Sequence, residues 1–489
     1  MALPHFSALS AKKSCCIALL STLGAKVAFP DSIPYHDSLA SYFSAQEMAV
    51  QPQCIVMPET VEDVSTAVKT LVSGTGAANA STSDVCQFAI RSGGHANFAG
   101  AANIADGVTI DLRQLNAIRP NDDLSTVSVG PGATWDLVYA ALDPLQRSVA
   151  GGRAAGVGVG GLSIGGGISF FSPRYGWTCD NVVEYEVVLA NGSVIHANED
   201  QNSDLLVALR GGSNNFGIIT KVVLRTFQQG LMWGGLVMTP ASTADAQIEE
   251  LVKINSADDY DEYGSLNTAF GYSALTGVAI VNQFAYSKPQ ANPPVYEALL
   301  QLPSVGPNSL RIASMGNLAL ETGALQQQGA RQIYMVTTFL SAVPVLNATW
   351  ACFNEGVPDI QGIEGIVWSL VLEPLPPAFY ARHGKMNSLG LSNRTEPLVV
   401  VLLTASWSNA ADDDVVAGAA KKLLGDIESA TQALGGWDPY KYLNYAGASQ
   451  DPLGSYGEES LNHLRRVRSR FDPEGVFTHR VPGGFKVPS

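Results

Sequence analysis

The sequence has little of what marks several protein classes. Lysine and arginine number 29 against 44 aspartates and glutamates, which gives a formal net charge of −15. Nucleic acids and anionic membrane surfaces bind basic patches, so we expect neither as a partner. No apolar run is long enough to span a bilayer, and no internal repeat is present. Six cysteines among 489 residues do not make a disulfide scaffold, and their spacing shows no metal-ligand pattern.

The N-terminal region allows two interpretations. Lys12 and Lys13 precede an apolar stretch, Cys15 to Ala28, which resembles the core of a short signal peptide. The interpretation we favour is an amphipathic first helix of the mature protein. Short N-x-S/T glycosylation patterns lean towards a secretory history and predict a glycoprotein that is secreted or endomembrane rather than cytoplasmic. They lie at Asn79, Asn191, Asn347 and Asn393.

The cysteines permit one disulfide if the N-terminal segment is retained. We expect it to join Cys15 or Cys16 to Cys54. The other three cysteines, which we expect to be buried thiols, are Cys86, Cys179 and Cys352.

A chain of this length exceeds one compact core, so we predict two domains. Up to Phe227 the pattern is α+β, with short strands and few long helices. It changes at Gln228–Gly235 to longer strands separated by helices, which is typical of an antiparallel sheet covered by helices. The clearest predicted elements are helices 59–72, 134–142, 244–255, 414–434 and 457–470, strands 88–91, 108–112, 126–129, 218–227, 277–287, 333–340, 365–372 and 398–407, and a hairpin 182–196. Asp412, Asp413 and Asp414 are interpreted as the start of a helix rather than a metal site.

Glycine is plentiful and is densest between Gly151 and Gly167. Gly156, Gly158 and Gly161 match the G-x-G-x-x-G pattern of a Rossmann dinucleotide site. That site needs an apolar strand before the glycines and a helix after them. Neither is expected here, because the preceding residues are not strand-like and so many glycines make a helix costly.

The same stretch contains the G-x-S-x-G pattern of a hydrolase nucleophile. Ser163 would be the nucleophile, with a base such as His383 or His463. The missing strand and helix count against this alternative too. The remaining interpretation uses the whole stretch: many glycines let the backbone approach a flat ring and a pyrophosphate, and its N–H groups donate to the phosphates.

Six motifs occur in a fixed order along the chain. They are Arg91-Ser92-Gly93-Gly94-His95, the run Gly156 to Gly167, Arg174-Tyr175-Gly176, Asp180-Asn181-Val182, Gly211 to Gly217, and Tyr442-Leu443-Asn444-Tyr445. Together they resemble the vanillyl-alcohol-oxidase (PCMH-type) superfamily of FAD-linked oxidases, and within it the berberine-bridge-enzyme-like branch of fungi and plants. The likeness covers residues 50 to 227 and the last 50 residues.

The resemblance implies an α+β fold with an FAD-binding domain made of two segments. We predict an N-terminal segment (1–49), the FAD-binding domain (50–228), a substrate domain (229–439) and a C-terminal segment (440–489) that returns to the FAD-binding domain. The resemblance also implies that His95 carries the 8α-methyl group of FAD. Relatives with a second link carry a cysteine where this chain has Ala154, so FAD is expected to be attached through His95 only. Many relatives also have a histidine where this chain has Leu162.

The residues that the resemblance assigns to the cofactor are Arg91, Ser92, Gly93, Gly94, His95, Asn97, Val157, Gly158, Gly161, Leu162, Gly166, Gly167, Tyr175, Gly176, Asp180, Asn181, Val183, Gly217, Ile218 and Asn444. Tyr442 is the candidate catalytic base. The expected activity is hydride transfer from a small organic molecule, a secondary metabolite or a carbohydrate, to flavin N5. O2 would then reoxidise the flavin and form H2O2. A flavin-binding cyclase without net redox chemistry is the alternative, and the protein is expected to be a monomer without metal.

Overall fold

The structure is a computed structural model that describes residues 15–73, 85–381 and 386–488. The strands before residue 230 are β1 (Val27–Ala28), β2 (Cys54–Val56), β3 (Phe88–Arg91), β4 (Val108–Asp111), β5 (Ile118–Pro120), β6 (Thr126–Val129), β7 (Arg147–Ser148), β8 (Val182–Val188), β9 (Val194–Asn198), β10 (Ile218–Arg225) and β11 (Phe227–Gln228). The later strands are β12 (Met232–Pro240), β13 (Gly264–Ser273), β14 (Gly277–Tyr286), β15 (Arg311–Ala313), β16 (Arg331–Leu340), β17 (Val367–Leu375), β18 (Leu398–Trp407) and β19 (Trp437–Asp438).

The helices are short in the first half and longer in the second. The first half has α1 (15–23), α2 (Ile33–Ala40), α3 (Ala45–Met48), α4 (Val61–Ser73), α5 (Trp135–Leu142), α6 (Val159–Ile164), α7 (Ser172–Tyr175) and α8 (Ser203–Leu209). The second has α9 (Ala244–Asn255), α10 (Glu297–Leu300), α11 (Met315–Ala324), α12 (Val343–Gly356), α13 (Pro377–Ala381), α14 (Asp413–Ala433), α15 (Glu458–Phe471) and α16 (Val476–His479). The predicted α+β class is confirmed, as is the start of a helix at the aspartate run, where Asp413 opens α14.

Two small sheets and the two-stranded pair of β7 and β11 build the first half. One has the order β1-β2-β4-β3, in which β4 runs parallel to both β2 and β3. The other is antiparallel, in the order β5-β6-β10-β8-β9. The strand β3 ends at Arg91, so the chain leaves the carboxyl end of the parallel strands directly into residues 92–100, which we call the His95 loop.

Two disulfides tie α1 to the parallel sheet. Cys16 bonds to Cys54, as predicted, and Cys15 bonds to Cys86. The prediction of a thiol at Cys86 was therefore wrong. Since β2 and β3 both run parallel to β4, Cys54 and Cys86 lie at the same end of the sheet, where adjacent cysteines of one helix reach both. Cys179 and Cys352 are free, the first buried and the second partly exposed.

The second half is one antiparallel sheet in the order β15-β12-β14-β13-β17-β18-β16-β19. Successive side chains of a strand point to opposite faces. On one face Phe270, Leu370 and Val401 pack with α9, α12 and α14 in a buried cluster. Burying one such side chain contributes about 1.5–3 kcal/mol, so this helical layer fixes the sheet firmly. The opposite face looks towards the first half of the chain, and we call it the roof.

The C-terminal residues return to the first half. Leu461, Leu464 and Val467 of α15 are buried, and this helix packs against α8. Within the described ranges no helix is long and apolar enough to cross a bilayer. Those ranges also contain no cluster of three or more potential metal ligands.

Candidate active site

The glycine-rich stretch forms a surface that we call the floor, residues 156–167. At one end, near Gly158, the backbone of the floor contacts the backbone of the His95 loop at Gly93. A Cβ atom on Gly93 would lie 2.6 Å from Cα of Gly158, and one on Gly158 would lie 2.4 Å from the nitrogen of Gly93. Real Cβ atoms do not approach that closely, so only glycine allows the two segments to meet. Ser92 fixes the loop from the other side by donating a hydrogen bond to the carbonyl of Pro131.

The middle of the floor is the six-residue helix α6, which the sequence had argued against. It forms despite its glycines because the carbonyls of Ala133 and Pro131 accept from its first N–H groups, those of Val159 and Gly160. Gly161 of this helix is exposed, and a methyl group there would meet no atom within 4 Å. At about 1.5 Å per residue the helix separates the two ends of the floor by about 9 Å.

The far end of the floor is closed by the C-terminal segment. Gly166 and Gly167 have φ of +115° and +89°, a conformation that favours glycine. The N–H of Gly167 donates to the hydroxyl of Tyr442 at 2.8 Å. The amide of Asn444 donates to the same hydroxyl at 3.0 Å and to the carbonyl of Leu162 at 3.1 Å. Tyr442 is buried, at 1% exposure, and its hydroxyl oxygen accepts two hydrogen bonds.

His95 stands at the near end of the floor. Its ring is stacked on Phe43, with centroids 3.9 Å apart and planes 9° apart. Its Nε2 lies 2.8 Å from Oε1 of Gln326, in the loop before β16. Burial lowers the pKa of His95, against the opposing hydrogen bonds from Gln326 and its own backbone. The ring is therefore neutral at physiological pH and keeps one nitrogen lone pair for bonding.

A polar group that the sequence did not predict, with Glu373 buried and Arg153 and Tyr445 largely covered, lies between floor and roof. Arg153 donates to both carboxylate oxygens of Glu373, at 2.8 and 2.9 Å, and to the hydroxyl of Tyr445 at 2.6 Å. Tyr445 in turn donates to Glu373 at 2.9 Å. Burial alone would lower the pKa of Arg153, but the attraction of Glu373 outweighs it and raises that pKa.

Burial raises the pKa of Tyr445 well above its usual range, so its hydroxyl keeps its proton. A small cavity of about 20 Å³ adjoins Arg153 and Glu373, enough for one water molecule. Two sequence signals could have found this group. Arg153 is the one cation in the glycine-rich stretch, and Glu373 is the one acid in the apolar strand β17.

The roof above these residues is mostly small, aliphatic or hydroxylic. Tyr334 of β16 lies edge-on to Phe43 at 6.2 Å, which places this face of the sheet beside the His95 loop. The strand register aligns Tyr334 with Thr404, Ser369 and Gly271 on the neighbouring strands. The next row on the same face contains Leu402, Val371, Ala269 and Val281. Burial raises the pKa of Tyr334 to about 12, although a hydrogen bond with Thr404 opposes the rise, so this side chain is also neutral.

Several residues predicted to bind the cofactor support the floor from behind. Arg91 is fully buried; it donates to Ser41 at 2.8 Å and lies 3.7 Å above the ring of Tyr42. Its side chain also lies 2.7 Å from a Cβ built on Gly94, which excludes a side chain there. Asn97 accepts from the backbone N–H of Tyr334 at 3.3 Å and so joins the His95 loop to the roof.

A second supporting group lies behind the far end of the floor. Asp180 accepts from the N–H of Trp177 at 2.9 Å and from Asn387 at 2.7 Å, and burial raises its pKa to about 7. Asn181 donates to the carbonyl of Tyr175 at 2.9 Å, and the ring of Tyr175 stacks on that of Phe227 at 4.0 Å.

The remaining predicted residues lie at turns and strands near the floor. Gly176 ends α7 with a φ of +75°. Val183 belongs to β8, Ile218 opens the neighbouring β10, and a Cβ on Gly217 would lie 2.4 Å from Val187. The role of these residues as cofactor contacts stays a prediction, and so does that of Val157, whose carbonyl accepts from Trp135 at 3.1 Å.

Ser163 does not have the surroundings of a hydrolase nucleophile. It lies inside α6 rather than between a strand and a helix. Its hydroxyl is buried and has no hydrogen-bond partner among the described residues. His463 is bonded to the carbonyl of Asp204 at 3.1 Å, and His383 lies outside the described residues.

The floor fits FAD in two respects. The space in front of Gly156 and Gly161 is open, because a methyl group on either meets no atom within 4 Å. A backbone surface without side chains is also what a flat ring system needs for close approach. With His95 at one end and the group of Arg153, Glu373 and Tyr445 above, these residues form the candidate flavin site.

Comparison with known proteins supports this assignment. The FAD binding domain family matches residues 52–198. An FAD-dependent monooxygenase of Emericella nidulans is 36% identical over 484 residues, which cover 97% of this chain and 98% of the relative. An oligopeptidase of Diaporthe leptostromiformis is 42% identical over 470 residues, but these cover 95% of this chain and 36% of the relative. This chain thus spans about a third of that second relative.

Solved structures give the same fold. 6-Hydroxy-D-nicotine oxidase of Arthrobacter nicotinovorans superposes with a TM-score of 0.77 at 20% identity, covering 95% of this chain and 98% of that one. Glucooligosaccharide oxidase of Acremonium strictum does so with a TM-score of 0.77 at 18% identity, covering 97% and 98%. The chain belongs to the family of FAD-linked oxidoreductases that includes the Emericella nidulans relative, and it has the fold of berberine bridge enzyme, with a TM-score of 0.77.

Proposed function

We propose that this protein is an oxidase, which removes a hydride and a proton from a small, uncharged organic molecule. The observation that carries the proposal is the hydrogen-bonded group of Arg153, Glu373 and Tyr445 between floor and roof. Bound FAD would accept the hydride and pass the electrons to O2, which becomes H2O2. The chain itself has to hold the substrate, exclude water and accept the proton.

Tyr445 is better arranged than Tyr442 to accept that proton. A phenol oxygen has two lone pairs and one hydrogen. The oxygen of Tyr442 accepts from Gly167 and from Asn444, so both lone pairs are used. The oxygen of Tyr445 accepts from Arg153 and donates to Glu373. It keeps one lone pair for a substrate hydroxyl and can pass its own proton to Glu373.

The roof supports a neutral substrate with an apolar body. Its central positions are Ala269, Val371 and Leu402, and nearby hydroxyl groups come from Ser369 and Thr404. A charged substrate would lose its hydration there without a fixed partner. Secondary metabolites and carbohydrates were both expected. The aliphatic roof favours a metabolite, and relatives of similar length include a bifunctional solanapyrone synthase of Alternaria solani, 30% identical.

FAD attachment through His95 alone is part of the proposal. The neutral His95 ring lies at the edge of the floor, and the buried Ala154 offers no sulfur for a second bond. Acid precipitation should leave the flavin with the protein, and His95→Ala should release it. Peptide mass spectrometry should find FAD on the peptide with His95 and not on the one with Ala154. Free flavin in the wild-type supernatant would contradict the linkage.

Two measurements separate oxidation from the alternatives. Several relatives are called FAD-dependent monooxygenases, including those of Emericella nidulans and Cercospora beticola. A monooxygenase transfers oxygen from ¹⁸O2 to the product, whereas an oxidase releases one H2O2 per turnover and no labelled product. A redox-neutral cyclase leaves the flavin yellow when substrate is added without oxygen. Aromatic and polyketide metabolites and oligosaccharides form the substrate panel.

The disulfides of Cys15 and Cys16 bear on location. Disulfides persist in oxidising compartments. We therefore propose that the protein is secreted or resides in the endomembrane system, and that it acts as a monomer. Cell fractionation and gel filtration test these two points.

A further inference from the structure

Two separate parts of the chain hold the ring of His95. Phe43 stacks on one face of the ring, and its N–H donates to the carbonyl of Gly94 at 2.9 Å. Its own carbonyl accepts from the N–H of Gly329 at 2.8 Å. Phe43 thus joins the His95 loop to residues 326–330, which precede the roof strand β16. Gln326 of that loop contacts the edge of the ring.

The contact of Gln326 selects one form of the neutral ring. With the amide oxygen of Gln326 facing the ring, Oε1 lies 2.8 Å from Nε2 of His95, and this orientation corresponds to the tautomer with its proton on Nε2. The lone pair then lies on Nδ1. A partner that fixes the protonated nitrogen also fixes ring orientation, as in histidines that bind metals. The lowered pKa of His95 agrees with a ring that enters the reaction neutral.

We propose that Gln326 is a positioning residue for the covalent attachment of FAD, which makes attachment depend on the packing of the roof side against the floor side. This inference rests on the proposed link at His95. In the attachment a bond forms between Nδ1 and the 8α carbon, and one C–H bond of the 8α-methyl breaks. That proton and the Nε2 proton leave. The two electrons reduce the flavin and then O2, which becomes H2O2.

A glutamine suits both ends of this reaction. Before attachment Nε2 carries a proton and needs an acceptor. After attachment Nε2 carries a lone pair and needs a donor. The amide supplies an oxygen for the first state and, after rotation, an N–H for the second. A carboxylate supplies only the acceptor, and an alkyl side chain supplies neither.

The variants Gln326→Leu and Gln326→Glu test the proposal, with Gln327→Leu as the matched control. Gln327 is the next residue, but it contacts Ser406 and Gln332 instead of His95. The readout is the fraction of bound flavin that stays with acid-precipitated protein, followed over time with added FAD and air. Total bound flavin is measured in parallel from the absorbance of the native protein.

Gln326→Leu should hold FAD but attach it at least about tenfold more slowly than wild type, the lower end of what the outer partner of an oriented histidine contributes. Gln326→Glu should attach it, with the pH midpoint of the rate moved upwards, because a carboxylate favours the protonated imidazole. Gln327→Leu should match wild type. A merely structural role would not move that pH midpoint.

Attachment in Gln326→Leu at the wild-type rate would overturn the proposal. If that variant fails to bind FAD, Gln326→Glu decides: attachment with an unshifted pH midpoint, or failure of both variants to fold, also overturns it. A wild-type protein that releases all its flavin into acid disproves the link at His95 instead, and so is distinguishable from these outcomes.

Discussion

The floor and the roof face each other but are built in different ways. The floor is largely backbone, and its approach to the His95 loop requires glycine, because a Cβ on Gly158 would lie 2.4 Å from the nitrogen of Gly93. The roof is a row of side chains brought together by the register of five strands between β14 and β16. Enzymes that share a cofactor can share a fixed backbone surface that binds it. Enzymes that act on different substrates need different side chains at the substrate site, and strand side chains can change without disturbing the sheet.

The sharpest test of this difference is a methyl group added to the floor. Gly158→Ala places a Cβ 2.4 Å from the nitrogen of Gly93, so the His95 loop has to move away. Overpacking of this kind costs about 1–3 kcal/mol, and we expect flavin binding to be lost. Gly425→Ala is the control, because Gly425 lies on the exposed side of α14, away from the floor, and its methyl meets no protein atom within 4 Å. The measurement is flavin absorbance per protein. Equal flavin content in wild type and Gly158→Ala would contradict the close packing.

The second test lies between the two surfaces. Tyr445→Phe removes the proposed proton acceptor and should lower kcat by about 10²–10⁴-fold while the flavin stays bound. Tyr442→Phe removes a hydroxyl that, among the described residues, accepts from Gly167 and Asn444. It should shift the flavin absorbance and leave kcat nearly unchanged. Steady-state H2O2 release gives kcat for both variants, and the absorbance spectrum reports the flavin. A larger loss of kcat in Tyr442→Phe than in Tyr445→Phe would instead identify Tyr442, the residue predicted from the sequence, as the base.

The third test concerns pH and the layer beneath the floor. Burial raises the pKa of Asp180 to about 7, so the folded state holds a proton that the unfolded state loses near pH 4. Stability should therefore fall as pH rises from about 4 to about 7. A shift of this size corresponds to about 4 kcal/mol. Asp180→Asn should remove much of that slope when melting is measured at several pH values. Buried Glu47, whose pKa burial raises likewise to about 7, adds a slope of the same sign.

The smallest effect is expected at Ser163. Its hydroxyl is buried in α6 without a partner among the described residues, so Ser163→Ala should leave flavin content and kcat nearly unchanged. Fluorophosphonate probes should not label the protein. Stoichiometric labelling of Ser163 would instead favour a hydrolase.

The sequence indicated which residues make up the floor, but not the conformation that they adopt. The glycines and His95 could be found because each requirement falls on one residue type in a short segment. The helix α6 could not, since it depends on carbonyls of Pro131 and Ala133, which tertiary folding brings to it. The same reason explains Cys86, whose partner became evident only when β2 and β3 were both seen beside β4.

The sequence predicted the sheet that forms the roof, but not which of its side chains face the site. Long strands with helices between them indicated an antiparallel sheet, and Leu398–Trp407 was placed correctly. Which side chains share a row depends on the register between strands, and a shift of one residue reverses every face. Arg153, Glu373 and Tyr445 are separated by up to 292 positions, so their contact required the structure.

The bond between Gly167 and Tyr442 joins residues 275 positions apart. A ribosome adds about 5–20 residues per second, so roughly 15–55 s separate the synthesis of the two. During this interval the glycine-rich segment has left the ribosome without the residues that close its far end. Long-range contacts of this kind form late and slowly. During this interval the apolar surface around Gly166 lacks Tyr442, which later covers it, and chaperones that bind such surface can act there.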